Sequence, residues 1–147
     1  MPALSNYDRT VIECFLQTEE GESLRSYLDS GKTLTIGYGH TGADVKPGET
    51  IIEAQARALE DHDLEPIFTF LIALVTSAAP STFENLGLAS FAFNCGLGAL
   101  KSVFAGTAKI EHYIHDHKGN VQPGLVHRRR FELALLGMDI TVLDNPK

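Results

Sequence analysis

The stretch Glu20-Gly21-Glu22-Ser23-Leu24-Arg25-Ser26-Tyr27-Leu28-Asp29-Ser30-Gly31-Lys32-Thr33-Leu34-Thr35-Ile36-Gly37-Tyr38-Gly39-His40-Thr41-Gly42 changes periodicity twice within 23 residues. Leu28-Asp29-Ser30-Gly31-Lys32 has the chemistry of a turn set between two extended runs. Beyond it the residue types alternate. Thr33 and Thr35 share one face, which we assign to a cleft; Leu34, Ile36 and Tyr38 share the other and suit a core. The pattern predicts a small hairpin over Leu24–Tyr38, and Gly37 and Gly39 let other backbone approach it closely.

Helical patterns flank this hairpin. Upstream, Tyr7, Val11 and Phe15 recur every four residues with Ile12 and Leu16 beside them, which predicts one apolar stripe on a first helix. Ser5 or Asn6 caps its start, Gly21 ends it, and Glu19 and Glu20 fall in its last turn. Downstream, Gly42–Gly48 reads as loop. Thr50, with Glu53 in capping-box position, starts a helix through Ala54, Ala56, Ala58 and Leu59 that Pro66 breaks or kinks. Pro80-Ser81-Thr82 opens a helix toward Asn94, and Gly96-Leu97-Gly98 interrupts it. A further helical stretch covers about Ala108–His115, Gly119-Asn120 and Pro123-Gly124 bracket a loop, and a last helix runs over about Leu125–Leu136. No repeat is present. The fold class is α+β: one domain over residues 1–147, with a small N-terminal β-hairpin region and a larger helical lobe.

Composition narrows the function classes. A chain of 147 residues, 44% hydrophobic and 21% charged, can bury a core without metal or disulfide and is not disordered. A net charge of −7 argues against nucleic acid as a partner. The basic run Arg128-Arg129-Arg130 reads as a solvated helix face unless other residues engage it. Cys14 and Cys95 sit among apolar residues, as buried reduced thiols do, and could form at most one disulfide. The N-terminus lacks the basic-then-apolar pattern of a signal peptide. The most apolar stretch, Ile67–Ala79, is shorter than the roughly 20 residues of a membrane span. The expectation is a protein that does not insert into membranes and accumulates in the cytoplasm.

Glu20 at a helix end and Asp29 in the facing turn form a pair of carboxyl groups, the equipment of glycosidic hydrolysis. Acidic residues in turns are common, so the pair alone leaves the function open. The surrounding residues add to it. The stretch Glu20–Gly42 closely resembles the catalytic signature of phage-type lysozymes, the endolysin or muramidase family of glycoside hydrolases. That signature reads E-G-x-x-L-x-x-Y-x-D followed by x-x-G-x-x-T-I-G-Y-G-H-T-G; here Gly31 stands one residue earlier than the signature's glycine. Phe91-Ala92-Phe93-Asn94-Cys95-Gly96 resembles the family's F-N-x-G helix end, and Gly124–Glu132 its G-L-x-x-R-R-x-x-E block. Two departures stand out: the region between Gly98 and His112 is short, and Tyr113 stands near the place of a common tryptophan.

The resemblance implies a lysozyme-like fold with the cleft between its two parts, and it implies roles. Glu20 would be the general acid, Asp29 the carboxylate that places the attacking water, and Thr35 a second partner for that water. Asn94 would hydrogen-bond sugar or, equally well, serve only as a helix end. His40 with Asp63 would form a structural ion pair, and Arg128 would pair with Glu20. A helix C-terminus and the adjacent Glu19 favour a protonated Glu20, while Arg128 opposes this. His112, His115 and His117 match no metal spacing and read as surface residues, so neither metal nor cofactor is expected. The partners implied are the glycan strands of bacterial peptidoglycan and, for access to them, a membrane-opening holin. The protein would act as a monomer, held in the host cytoplasm until release to the periplasm and cell wall. Two other readings stay open: a lysozyme-like peptidoglycan-binding module without turnover, and a transglycosylase, which would need Glu20 but not Asp29.

Overall fold

The computed structural model describes residues 4–74 and 80–146. The first three residues of the N-terminal segment, and the end of the apolar stretch read over Ile67–Ala79, lie outside these. No helix among the described residues is long and apolar enough to cross a membrane. Five α-helices and a three-stranded antiparallel sheet form the described part: α1 (Asn6–Glu20), β1 (Ser23–Leu28), β2 (Leu34–Gly37), β3 (His40–Thr41), α2 (Glu53–Ala73), α3 (Thr82–Cys95), α4 (Leu97–Phe104) and α5 (Pro123–Leu135). The α+β class follows directly from this composition of elements.

Ser5 caps α1 by accepting the Asp8 N–H, and Asp8 reaches back to the Ser5 N–H. The buried stripe of α1 is Asp8, Ile12 and Leu16. It is rotated from the expected one: Tyr7 is 69% exposed and Val11 and Phe15 are only partly covered. Cys14, on the outer face, is exposed and free, against the expectation of a buried thiol.

The hairpin forms as expected and gains a third strand. β3 pairs with β2 through Thr35–Thr41 and Ile36–His40, so the run after Gly39 is sheet rather than plain connection. The segment after the loop covers the edge of β1, with Ser26 N–H donating to Glu49 O and Ile51 N–H to Leu24 O. That pairing occupies Thr50, which faces Arg25 in a bridge. α2 therefore starts later than expected, with Gln55 Oε1 accepting the Ile52 N–H.

Pro66 neither ends nor divides α2, which runs on to Ala73. An interior proline costs about 3 kcal/mol. Leu64, Ile67, Phe68 and Leu71 are all buried on that helix, at roughly 1.5–3 kcal/mol each, which outweighs the loss. α3 is covered on nearly every side: residues 85–92 are all buried. It forms the centre of a core to which α1, α2, α4 and α5 contribute. Gly87 permits the close α3–α5 contact, since a Cβ there would stand 3.2 Å from the Glu132 carbonyl oxygen.

One helix expectation holds and one fails. Gly96 (φ 91°) ends α3 and leads straight into α4, whose Leu97, Leu100 and Val103 pack on the core. The stretch 108–115 holds one 3₁₀ turn, Ile110–His112, and not a helix. Ile110 and Ile114 are buried, but His115 is drawn into a bridge with Val121. Asp116 fastens that loop by accepting the N–H groups of Lys118 and Asn120 and the Gln122 amide. α5 begins two residues earlier than expected, with Pro123 in its first turn, where a missing N–H costs nothing.

The hairpin tip explains what the displaced glycine does. The turn closes through Asp29 N–H to Thr33 O and Lys32 N–H to Asp29 O. Its left-handed position belongs to Lys32 (φ 63°), where the signature places glycine. A side chain in this conformation carries a strain of roughly 1–2 kcal/mol. Lys32→Gly should therefore raise stability by about 1 kcal/mol, measured as a higher midpoint in thermal or urea unfolding; an unchanged or lower midpoint would contradict the strain.

Candidate active site

A groove of about 900 Å³ runs between the hairpin and the helical lobe, lined on one side by Asp29, Ser30, Gly31 and Thr33 and on the other by Asn94, Gln122, Leu125 and Arg128. Glu19, at the end of α1, and His115–His117, in the loop before α5, also line it. Of the two carboxyl groups, Asp29 lines the groove, and Glu20 adjoins it through Arg128, which lines it too. Asp29 is fixed by the turn it sits in, where Oδ1 accepts the Thr33 N–H at 2.7 Å. Glu20 is the last residue of α1, and Gly21 (φ 67°) turns the chain directly after it.

One ion pair holds Glu20, and a glycine turn faces it. Arg128 Nη1 donates to Glu20 Oε1 at 2.6 Å, with the Glu20 side chain 23% exposed and that of Arg128 10%. The other carboxylate oxygen faces Gly39, where a Cβ would lie 3.3 Å from Oε2. Gly39 also has φ 83°, so the turn between β2 and β3 needs glycine for both reasons. On the backbone, the Gly21 N–H closes the helix end by donating to Gln17 O.

Arg128 is itself held from behind, and so is not on a solvated face. Its Nη2 donates to Ser90 O, its Nε to Ser90 Oγ, and Nε stands 3.4 Å from Glu132 Oε1. Ser90 Oγ in turn donates to Glu132 Oε1 at 2.6 Å. Arg129, fully buried, pairs with Glu132 at 2.6 Å, donates to Asn94 Oδ1 at 2.9 Å and lies 5.1 Å over the Phe91 ring. Burial raises Glu132 above the ordinary glutamate range, with Arg129, Ser90 and Arg128 pulling the other way. Ser90, Arg129 and Glu132 thus build the site although the sequence reading gave them no role, and Gly39, read only as a place of close backbone approach, meets the Glu20 carboxylate. Arg129 and Glu132 lie inside the G-L-x-x-R-R-x-x-E block, which was the available signal.

The remaining expected residues divide. Asn94 is exposed in the groove, and its Oδ1 is taken by Arg129, which leaves its amide N–H groups to a ligand. Thr33 lines the groove, but Thr35 does not: it is 4% exposed, and its hydroxyl donates to Thr33 O at 3.1 Å. The threonine face of β2 is covered at Thr35 because β2 is the central strand, with Tyr27 and Thr41 paired on either side. Cys95 is free, and burial raises its thiol despite Arg129. Among the described residues no three His, Cys, Asp or Glu side chains come together as metal ligands.

His40 joins β3 to α2, with Nδ1 2.8 Å from Asp63 Oδ2 and Nε2 3.1 Å from Asp44 Oδ2. Burial pulls its pKa down, but the hydrogen bonds to Asp63 and Asp44 outweigh this and hold it above the ordinary histidine value. Asp44, in the loop after β3, is a partner the sequence reading did not identify.

A family model described as phage lysozyme matches residues 17–132. The endolysin of Bacillus phage PZA is 32% identical over 138 residues, covering 82% of this chain and 51% of its own. The endolysin of Escherichia coli O157:H7 phage FAHEc1 superposes with a TM-score of 0.63 at 27% identity, over 90% of this chain and 91% of that one. The muramidase domain of SpmX from Asticaccaulis excentricus gives a TM-score of 0.64 at 23% identity, over 92% and 98% of the two chains, a likeness of fold. The chain spans about half the length of several curated relatives it matches.

The raised His40 pKa has a signed consequence. Its stabilising effect is full below the unfolded value and is lost as pH rises through the folded one. An NMR titration should place His40 above a free histidine, and wild-type stability should fall relative to His40→Gln across that window. A His40 midpoint at the free value would contradict the pairing.

Proposed function

The chain belongs to the phage lysozyme family, and from that membership we propose that it is an endolysin-type muramidase, a single lysozyme-like domain that hydrolyses peptidoglycan. The bond cut is the β-1,4 link between N-acetylmuramic acid and N-acetylglucosamine, and the biological outcome is host cell lysis. The observation that carries this reading is the placement of Asp29 on the groove wall opposite Arg128, with Glu20 held by that arginine at 2.6 Å.

In this reading a glycan strand lies along the groove. Glu20 protonates the leaving oxygen as the glycosidic bond breaks and becomes a carboxylate beside Arg128, whose guanidinium stabilises the new charge. Asp29 accepts one proton of a water molecule as its oxygen attacks the sugar carbon from the opposite face. Thr35 is 4% exposed behind the groove wall and its hydroxyl hydrogen bonds to Thr33 O, so its role as second partner for that water asks Thr33 to move aside and open its hydroxyl oxygen to the groove. Asn94 donates its amide N–H groups to sugar. Attack by water rather than by Asp29 inverts the sugar carbon and asks for a carboxyl separation of roughly 6.5–9.5 Å.

The enzyme needs no metal or cofactor in this scheme and acts as a monomer. Passage to the periplasm and cell wall from the host cytoplasm falls to a separate membrane-opening holin. The acidic charge of −7 fits a protein with no general attraction to anionic surfaces.

Glu20→Gln removes the acid and Asp29→Asn the base. Each should slow clearing of permeabilised cells by about 10²–10⁴-fold while leaving the unfolding midpoint near wild type. A folded variant of either kind that clears at the wild-type rate would remove that residue from the mechanism.

A further inference from the structure

Glu60 is a carboxyl group where packing asks for none. It is 2% exposed on α2, on the same buried face as Ala56 and Leu64. Its Oε2 accepts the Gln17 amide of α1 at 2.7 Å. Its Oε1 is buried with no hydrogen-bond partner among the described residues. The charged and titratable groups around it are Glu13 on α1, Asp61 and Arg57 on α2, and Tyr38 after β2. Two of these carry its own sign, and Arg57 is already engaged by Glu53 at 2.8 Å. An ionised carboxylate with one unpartnered buried oxygen is costly in such a place, and the neutral acid is far less so. Burial accordingly holds Glu60 above the ordinary glutamate range, Gln17 opposes, and Glu13 and Asp61 reinforce it.

Gln17 has a second task. Its backbone carbonyl accepts the Gly21 N–H at 3.1 Å, which closes α1 just beyond Glu20. The residue that ends the helix beneath Glu20 is therefore the one Glu60 grips from α2. We propose that Glu60 is a positioning residue: as a neutral acid it stays buried and clamps the catalytic end of α1 through Gln17, and as a carboxylate, with Oε1 unpartnered and Glu13 and Asp61 repelling it, it is driven out to solvent and carries the clamp away from that end. The proposal rests on the muramidase reading of Glu20 and extends it to an alkaline limit on activity.

The test compares wild type, Glu60→Gln and Gln17→Leu from pH 5 to 10. Glu60→Gln keeps an uncharged side chain of equal length with no proton to lose. Wild-type kcat should fall about tenfold per pH unit above the Glu60 midpoint, and Glu60→Gln should lack that limb. For an acid with a raised folded pKa, stability is full below the unfolded value and lost as pH rises through the folded one, so wild-type Tm should fall in the same window. Gln17→Leu should lower kcat with KM unchanged.

A carbon-13 titration of the wild-type Glu60 carboxyl decides the matter if Glu60→Gln does not fold; a midpoint in the ordinary glutamate range overturns the proposal. So does an unchanged alkaline limb in Glu60→Gln while wild type clears peptidoglycan, which leaves the muramidase reading standing. Absence of clearing by wild type at every pH instead overturns that reading, and with it the catalytic part of the clamp.

Discussion

The buried ion pair between Arg129 and Glu132 is the contact on which the helical lobe and the site both depend. Neither side chain is exposed, and their closest approach is 2.6 Å. Charges so enclosed must be matched, and removing one partner of such a pair typically costs about 3–5 kcal/mol. Here the matching groups come from α3, from the loop before α5 and from α5 itself. Ser90 donates to Glu132, while Asn94 Oδ1, Tyr113 O and the face of Phe91 surround Arg129. α3 and α5 are locked in one register, and that register brings Arg128 within reach of Glu20.

The consequence is a site built on rigid elements. Glu20 hangs from the end of α1, braced by an arginine that α3 and α5 hold in place and faced by a glycine turn of the sheet. Asp29 is fixed by its own turn. Asp29 stands on the hairpin and Glu20 on the helical lobe, so the relative placement of these two units sets the distance between the carboxyl groups. His40 fastens those units together by pairing β3 with the aspartate on α2.

Much of this was legible in the sequence where local chemistry decides. The alternation of Thr33 to Tyr38 gave the strand, and Ser5 and Gly21 bounded the first helix. Legibility failed where tertiary packing overrules local signals. Pro66 looked like a break, yet the buried face of α2 carries the helix through it. Gly96 does interrupt the helix as read, but the packing of Leu97, Leu100 and Val103 on the core starts a new helix at once, which no local signal announced. The run Arg128-Arg129-Arg130 reads by composition as a solvated face, and only the family resemblance paired Arg128 with Glu20; that Arg129 turns inward to Glu132 follows from the packing of α3 on α5. Thr35 followed strand parity but was covered by its position in the middle of the sheet. The placement of His40 beside Asp63 was implied by family resemblance, and only the fold adds Asp44.

The central claim is that water, positioned by Asp29, cuts the glycan strand as Glu20 protonates the leaving oxygen. The direct measurement is digestion of purified peptidoglycan in ¹⁸O-labelled water, with mass spectrometry of the new ends and NMR of their first-formed anomer. The account predicts reducing muramic acid ends that carry one labelled oxygen and appear first as the α-anomer. Unlabelled anhydro ends, a first-formed β-anomer, or no new ends at all would contradict it.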